Sequence, residues 1–346
     1  MTSFRKLVAS TLTTDFRIAC EIVRSNVGSL KPHEVLVKAR YAGINATDIN
    51  YTAGRYTKPG TPLPLDAGLE GVGEIVDVGQ EVPSSMIGKP VGYLWNGAFA
   101  EYVKLPAKFC LPLPSVKPEY VGLLVSGMTA SMCLQQSGRI QKGEAVFISA
   151  AAGGFGHLAV QLAKLHGCHV IGTCSSQQKT EYLKSLGCDH VINYVTEDLN
   201  EVLKKSYPKG IDVFIESVGG DVFNACVNRL ATNGRLVVLG YIGSYHSQAG
   251  IDRSHRNATL MTKLLLKSAT VSGFFLLNHP QEYKNHLPRL VELADQGKLQ
   301  VKIDQTDDQG KPFVGLESVY DAVDYLYSRK SQGKVVVDLT NSNSKL

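Results

Sequence analysis

The chain has 346 residues, of which 44% are hydrophobic and 19% charged. At about 150 residues per domain this length predicts two folded domains, and the mixed composition excludes a disordered, collagenous or coiled-coil protein. The net charge is +5, from 36 basic and 31 acidic side chains; it is spread without a basic run, so nucleic acid is not an expected partner.

The first third of the chain predicts a β-rich domain. From Phe4 to about Pro118, short alternating or β-branched segments are separated by glycine and proline, a pattern typical of strands joined by turns. The predicted strands cover residues 34–41, 73–78, 90–94 and 98–105.

No segment is expected to enter or cross a membrane. The longest weakly polar stretch, residues 121–134, is 14 residues long, well short of the roughly 20 that span a bilayer. The N-terminus lacks the apolar core of a secretory signal. The seven cysteines show no two-residue spacing, so we expect free thiols and no cysteine-based zinc cluster.

The remainder predicts a doubly wound parallel sheet. Short apolar strands, over residues 145–149, 169–173, 191–194, 212–216 and 235–239, alternate with amphipathic helices. A last helix over 316–326 precedes a strand over 334–339, which we expect to return to the N-terminal domain. The apolar segment near 269–276 predicts an edge strand that forms a homodimer by sheet extension.

A glycine-rich turn carries the strongest local signal. Residues 149–156, SAAAGGFG, follow a predicted strand and open a helix, so the helix N-terminus can bind a pyrophosphate. The alternative is a tight turn that binds nothing. His157, directly after it, is expected to face solvent or cofactor. The predicted dinucleotide contacts are Ala152, Gly153, Gly154, Phe155 and Gly156.

The end of the next strand favours NADPH over NADH. Residues 173–179 include no acid, whereas an NAD-binding chain needs one for the ribose 2′-hydroxyl. Lys179 and Ser175 can instead hold a 2′-phosphate. The alternative for Lys179 is a solvated surface lysine.

Three further motifs support a resemblance. With GINATD at 43–48, AGLEGVGE at 67–74 and LVSG at 124–127, the chain resembles medium-chain dehydrogenases/reductases, in their zinc-independent quinone- and enone-reductase branch. The resemblance implies an α/β fold with a GroES-like catalytic domain (1–122 and 310–346) and a Rossmann NADP-binding domain (123–309), with the active site between them.

The same resemblance implies individual contacts. Lys179 and Tyr194 correspond to residues that contact the 2′-phosphate. Asn45 and Leu69 stand where zinc-binding relatives carry Cys and His, so no metal is expected. Residues where relatives line the nicotinamide half are Ser217, Leu239, Tyr241, Phe274, Phe275 and Leu276.

Hydride addition to an enone suits a metal-free site, because it yields a delocalised enolate that needs only positioning and a donor. We therefore expect NADPH-dependent reduction of the C=C bond of α,β-unsaturated ketones, and the resemblance implies a lipid enone such as a 15-oxoprostaglandin as substrate. Tyr245 is the first candidate donor, its alternative being a packed loop aromatic. Tyr56, where the resemblance places the proton-donating tyrosine of enoyl-thioester reductases, and Tyr51 are second candidates. Asn45, with a helix-capping Asp48, orients their loop and helix.

Other functions stay open at this point. A 2-enoyl-thioester reductase or a quinone reductase would use the same cofactor, and a non-catalytic NADPH-binding sensor would bind it without turnover. The chain ends in Ser344, Lys345 and Leu346, the tripeptide that a peroxisomal import receptor recognises. We expect a peroxisomal protein, with the cytoplasm as a further location.

Overall fold

The computed structural model describes residues 3–58, 60–247 and 259–340. The chain divides into two compact units, Met1–Val125 with Lys302–Leu346 (unit 1) and Ser126–Val301 (unit 2). In the described ranges the strands are β1 (Ser3–Ala9), β2 (Cys20–Asn26), β3 (Glu34–Gly43), β4 (Leu65–Asp66), β5 (Glu70–Val78), β6 (Pro90–Leu94), β7 (Tyr102–Pro106), β8 (Cys110–Pro112), β9 (Ala145–Ile148), β10 (His169–Cys174), β11 (His190–Asn193), β12 (Ile211–Glu216), β13 (Leu230–Val238), β14 (Thr270–Gly273), β15 (Ile303–Asp304) and β16 (Lys334–Asp338).

Helices cover the layers around these strands. In the segment of the chain between β8 and β9, two π-helical turns, Leu123–Gly127 and Cys133–Ser137, alternate with short α-helices. The described α-helices are α1 (Phe16–Ala19), α2 (Thr47–Thr52), α3 (Pro118–Gly122), α4 (Met128–Met132), α5 (Gly156–Leu165), α6 (Gln177–Ser185), α7 (Leu199–Ser206), α8 (Gly220–Arg229), α9 (Leu260–Lys267), α10 (Tyr283–Asp295) and α11 (Ser318–Tyr327).

Unit 1 contains a three-stranded sheet, β2-β1-β4, and a larger sheet, β15-β16-β3-β5-β6-β8, with β7 also paired to β3. Strand β16 pairs antiparallel with β3, Val336 opposite Gly43, so the predicted return of the last strand is confirmed. The short β15, which pairs with β16, was not predicted. Apolar side chains of β1, β3, α2, α11 and β16 form one core of this unit.

Unit 2 is built on a six-stranded parallel sheet in the order β11-β10-β9-β12-β13-β14. Strand β9 lies between β10 and β12, and the direction of winding reverses there, which confirms the predicted doubly wound sheet. Ligands of such sheets bind at the carboxyl ends of the strands beside this reversal. Phe147 and Phe214, on β9 and β12, pack together inside the core with ring centroids 5.1 Å apart.

Some predicted limits are wrong. Residues 98–101 are not part of β7; instead the Phe99 carbonyl accepts from the Leu7 N–H and the Phe99 N–H donates to Ala67. Strand β13 begins at Leu230, five residues before its predicted start, with a register shift against β12. Among the described helices, none is long and apolar enough to cross a membrane.

Candidate active site

The glycine-rich turn joins β9 to α5 at the carboxyl edge of the unit 2 sheet. Within the described residues, the backbone N–H groups of Gly154, Phe155 and Gly156 make no hydrogen bond to the protein. A Cβ on Gly156 would lie 2.5 Å from the Ala151 Cα, so only glycine lets the helix start this close to the turn. Three adjacent amide donors at a helix N-terminus fit a pyrophosphate.

Buried side chains behind the turn hold it in place. The expectation that His157 faces solvent or cofactor is wrong, because its side chain is fully buried. Its Nδ1 lies 2.9 Å from the Gly153 carbonyl oxygen. Gln161 in turn donates to the His157 and Gln300 carbonyls, both at 2.9 Å. His157 therefore supports the turn from inside the core, a role that its place in the sequence did not indicate.

The carboxyl ends of β10 and β11 carry the residues predicted to hold the 2′-phosphate. Ser176 caps α6, its hydroxyl accepting from the Lys179 N–H at 3.3 Å, which places Lys179 in the first helical turn beside Ser175. Tyr194 is exposed directly after β11, and its N–H donates to the Cys174 carbonyl. A hydroxyl, an ammonium group and a phenol on adjacent strand ends fit a phosphorylated adenosine.

The carboxyl end of β12 positions Ser217, a predicted nicotinamide contact. The Ser217 N–H donates to the Ser149 hydroxyl at 2.9 Å, which joins the ends of β9 and β12. Glu216 is buried beneath them and accepts from the Val218 and Gly219 N–H groups at 2.6 and 3.0 Å. Burial raises the pKa of Glu216, and these hydrogen bonds oppose the rise. Nothing in the sequence around Glu216 indicated this positioning role.

The loop after β13 contains Leu239, Tyr241 and Tyr245. The Leu239 N–H donates to the Glu216 carbonyl, which anchors the start of the loop. Tyr245 is 5% exposed, its ring packs edge-on against Tyr241 at 4.8 Å, and its hydroxyl accepts from the Tyr241 N–H at 3.3 Å. This hydroxyl is thus engaged with its own loop, and the donor role of Tyr245 stays a prediction.

The segment after β14 contributes the last three predicted cofactor contacts. The Phe274 N–H donates to the Val238 carbonyl at 3.0 Å, and the Phe274 ring stacks on His279 with centroids 5.0 Å apart. Phe274 and Leu276 are buried, whereas Phe275 is exposed. The structure therefore brings the predicted cofactor residues of unit 2 to one edge of its sheet, and their contacts with a dinucleotide stay predictions.

Unit 1 holds a buried polar cluster around Asn45. The Lys334 ammonium group contacts the Glu70 carboxylate at 2.5 Å and the Asn45 amide oxygen at 2.7 Å. The Asn45 amide nitrogen donates to Glu70 at 2.9 Å, and the Val125 N–H donates to the other Glu70 oxygen at 2.7 Å. The structure thus places Asn45 in a network with two residues that the sequence analysis did not single out.

The side chain of Asp48, in the first turn of α2, hydrogen-bonds to the backbone just before the helix. Its Oδ2 accepts from the Asn45 N–H at 2.8 Å, while its Oδ1 and the Thr47 hydroxyl find no hydrogen-bond partner among the described residues. Burial raises the pKa of Asp48 to about 7, against the opposing effect of the Asn45 hydrogen bond. The expected capping role is wrong in position, because the N-cap is Ala46 and Asp48 lies inside the first turn, where it accepts from a backbone N–H that precedes the helix.

The two remaining tyrosine candidates lie on and after α2. Tyr51 is partly buried, and burial, followed by the charge of Asp66, raises the pKa of its hydroxyl. Tyr56 is 44% exposed, and its hydroxyl accepts from the Asn50 side-chain amide at 3.1 Å. Arg55 donates to the oxygen of the same amide at 2.7 Å.

The remaining predictions for the chain concern its cysteines, a metal site and the C-terminal tripeptide. All seven cysteines lie in the described ranges, where each is buried and free, and burial raises the thiol pKa of Cys188 and Cys20 to about 12. In residues 3–58, 60–247 and 259–340, no three His, Cys, Asp or Glu side chains are grouped to hold a metal ion. The tripeptide at 344–346 lies outside the described residues.

Comparison with known families matches both parts of the chain. The alcohol dehydrogenase GroES-like domain family matches residues 31–115, and the zinc-binding dehydrogenase family matches residues 154–292. Prostaglandin reductase-3 of Bos taurus is 47% identical over 99% of this chain and 91% of its own. A probable quinone oxidoreductase of Leishmania amazonensis is 43% identical over 97% of this chain and 98% of its own.

Solved structures show the same fold. The quinone oxidoreductase of Escherichia coli in complex with NADPH superposes with a TM-score of 0.82 at 26% identity, covering 96% of this chain and 99% of its own. The quinone oxidoreductase of Pseudomonas syringae gives a TM-score of 0.82 at 28% identity, over 97% and 100% of the two chains.

The buried carboxyl of Asp48 predicts a pH-dependent stability. Its pKa is higher in the folded state than in the unfolded state, so the folded protein binds the extra proton and loses stability as the pH rises from about 4 to about 7. Asp48→Asn keeps the acceptor for the Asn45 N–H without the charge. Between pH 5 and 7 the free energy of unfolding of the wild type should fall by about 2 kcal/mol relative to this variant, measured by urea titration. If the free energies of unfolding of the wild type and the variant changed with pH in parallel, this would contradict titration of the buried Asp48 carboxyl.

Proposed function

Because the chain belongs to the medium-chain dehydrogenase/reductase family and is an NADPH-binding oxidoreductase, we propose that it reduces the carbon–carbon double bond of α,β-unsaturated ketones. The observation that carries the proposal is the 47% identity with prostaglandin reductase-3 over nearly the whole chain. It supports a lipid enone, in particular a 15-oxoprostaglandin reduced at its 13,14 double bond, as substrate.

Bound NADPH supplies the hydride for the β-carbon of the enone, and the protein must then stabilise the negative charge that develops on the carbonyl oxygen. A tyrosine is suited to this, since its hydroxyl is protonated at neutral pH and can donate a hydrogen bond or a proton. We take Tyr56 as this donor, because it is exposed and its hydroxyl is held by Asn50. Tyr245, which is only 5% exposed, and Tyr51 are the alternatives.

The donor set around Asn45 favours conjugate addition over reduction of an isolated carbonyl. The Asn45 amide oxygen is already bound by an ammonium group and its nitrogen by a carboxylate. These groups provide neither a thiolate nor an imidazole for a Lewis-acidic metal. An enolate spreads its charge over three atoms and so depends less on such a metal than an alkoxide does.

A quinone is the second candidate substrate. The 43% identity with a probable quinone oxidoreductase supports it, and quinone carbonyls accept the same hydride. A 2-enoyl thioester would also use the Tyr56 position. NADPH binding without oxidation against all three classes would instead indicate a sensor.

The proposal predicts a substrate ranking and a tyrosine effect. NADPH consumption should be fastest with a 15-oxoprostaglandin in a panel that also contains a quinone and an enoyl-CoA. Tyr56→Phe should lower kcat on the enone by about 100-fold, the usual effect of losing a general acid, whereas Tyr207→Phe, at the end of α7, should leave kcat unchanged. A larger loss in Tyr245→Phe or Tyr51→Phe would move the donor role there, and an enone rate below the quinone rate would refute the substrate.

Lys179 gives a test of cofactor selection. We propose that its ammonium group, with the Ser175 hydroxyl, binds the 2′-phosphate; a charge-assisted contact of this kind contributes about 1–3 kcal/mol. Lys179→Ala should therefore weaken NADPH binding by about 10- to 100-fold and leave NADH binding unchanged, as measured by fluorescence titration. Lys184→Ala, in the last turn of the same helix, is the matched control. Equal losses for both cofactors would refute the assignment.

We also propose that the protein is a homodimer formed at the β14 edge of unit 2. Strand β14 is the last in its sheet, and beside it α9 exposes apolar side chains, with Met261 and Leu265 each nearly four-fifths exposed. An open strand edge next to exposed leucines is covered most simply by the same surface of a second copy.

The dimer proposal is tested by placing a charge on this apolar surface. Leu265→Arg should shift the mass measured by light scattering from dimer to monomer, because it places a charge in the buried interface. Leu165→Arg, on the exposed side of α5, should leave the mass unchanged. A wild-type protein that is already monomeric would refute the proposal.

Finally, we propose that Ser344, Lys345 and Leu346 direct the protein to the peroxisome through an import receptor, with a share remaining in the cytoplasm. The support is the sequence of this tripeptide at the end of a polar segment.

A further inference from the structure

Asn50 organises the turn that carries Tyr56. It lies on α2 with its side chain fully buried. Its backbone carbonyl accepts from the Arg55 N–H at 2.9 Å, and its side-chain oxygen accepts from the Arg55 guanidinium at 2.7 Å. Its side-chain nitrogen donates to the Tyr56 hydroxyl at 3.1 Å. Gly54, with φ of +73°, makes the turn between them.

The chemistry of these groups decides which of them donates and which accepts in each hydrogen bond. A guanidinium can only donate, so the amide oxygen of Asn50 must face Arg55 and the amide nitrogen must face Tyr56. The Tyr56 oxygen is therefore an acceptor from Asn50. Because an O–H cannot point at the nitrogen that donates to its oxygen, the Tyr56 proton points away from Asn50.

We propose that Asn50 is a positioning residue that directs the Tyr56 proton toward the carbonyl oxygen of the substrate. This inference rests on the proposed enone reduction and names the group that orients its proton donor. In the reaction the β-carbon gains a hydride as NADPH becomes NADP⁺, and the C=C electrons move to form an enolate. Tyr56 gives its proton to the enolate oxygen, which forms an enol. The enol becomes the ketone when its α-carbon takes a proton from water and its O–H proton is lost to water, and the tyrosine recovers its own proton from water.

Asn50→Asp reverses one hydrogen bond while changing little else. The carboxylate has nearly the shape of the amide and still accepts from Arg55, now as an ion pair. It has no N–H to donate, so the Tyr56 hydroxyl must donate to it, which captures the proton intended for the substrate. We expect kcat on the enone to fall about 100-fold, close to the value for Tyr56→Phe, with KM changed less than threefold.

A double-mutant cycle separates positioning from a general structural effect. Once Tyr56 is replaced by Phe, Asn50→Asp should cause no further loss of kcat, because the group it orients is gone. A loss of the same size in both backgrounds would overturn the inference. Asn200→Asp, which adds the same charge on the exposed face of α7 in unit 2, should leave kcat unchanged.

A second variant keeps the test decisive if the buried carboxylate prevents folding. Arg55→Met removes the donor that fixes the side-chain amide of Asn50, so this amide can flip and no longer always presents its nitrogen to Tyr56. We expect kcat to fall about 10-fold, with the thermal midpoint of unfolding little changed. An unchanged kcat in Arg55→Met or in folded Asn50→Asp would overturn the role of Asn50. Absence of enone turnover in the wild type would refute the proposed function, whatever Asn50 does.

Discussion

The ion pair between Lys334 and Glu70 is the contact on which unit 1 depends. Both side chains are fully buried, and removing two charges from water costs several kcal/mol each unless every polar atom finds a partner. Here Glu70 also accepts from Asn45 and Val125, which meets that condition. The pair joins β16, near the end of the chain, to β5 and to the segment before α2. The start of the helix that carries the candidate tyrosines is therefore fixed by residues far away in sequence.

The same pair explains the glycine of the GINATD segment. A Cβ on Gly43 would run into the Glu70 carboxylate and come within 2.8 Å of the Lys334 side chain. The motif that identifies the family is thus, at this position, a packing requirement of a buried charge. In unit 2, Gly156 has a comparable role, since a side chain there would separate α5 from the turn whose amide groups face the dinucleotide.

The elements that sequence could predict are those set by local pattern. The strand and helix alternation and the glycine turn extend over a few residues each, so their periodicity is visible in the chain itself. The roles of Lys334, His157 and Asn50 depend on partners brought together by the fold, and a single lysine or histidine in a sequence does not indicate whether it will be buried. Tyr245 shows a related limit: its loop position did not indicate that its ring would be buried against Tyr241 or that its hydroxyl would accept from the Tyr241 N–H, and its role as donor stays a prediction.

Unit 1 uses one arrangement twice. A donor-only cation fixes the oxygen of a buried asparagine amide, Lys334 for Asn45 and Arg55 for Asn50, and each amide nitrogen must then donate in the opposite direction. For Asn45 the acceptor is a fully buried carboxylate, so the arrangement neutralises a charge and stabilises the fold. For Asn50 the acceptor is the hydroxyl of Tyr56, a residue that is 44% exposed, and the O–H of this tyrosine points away from Asn50. The difference in exposure, with the same hydrogen-bond polarity, is what separates a structural cluster from one that can serve a reaction.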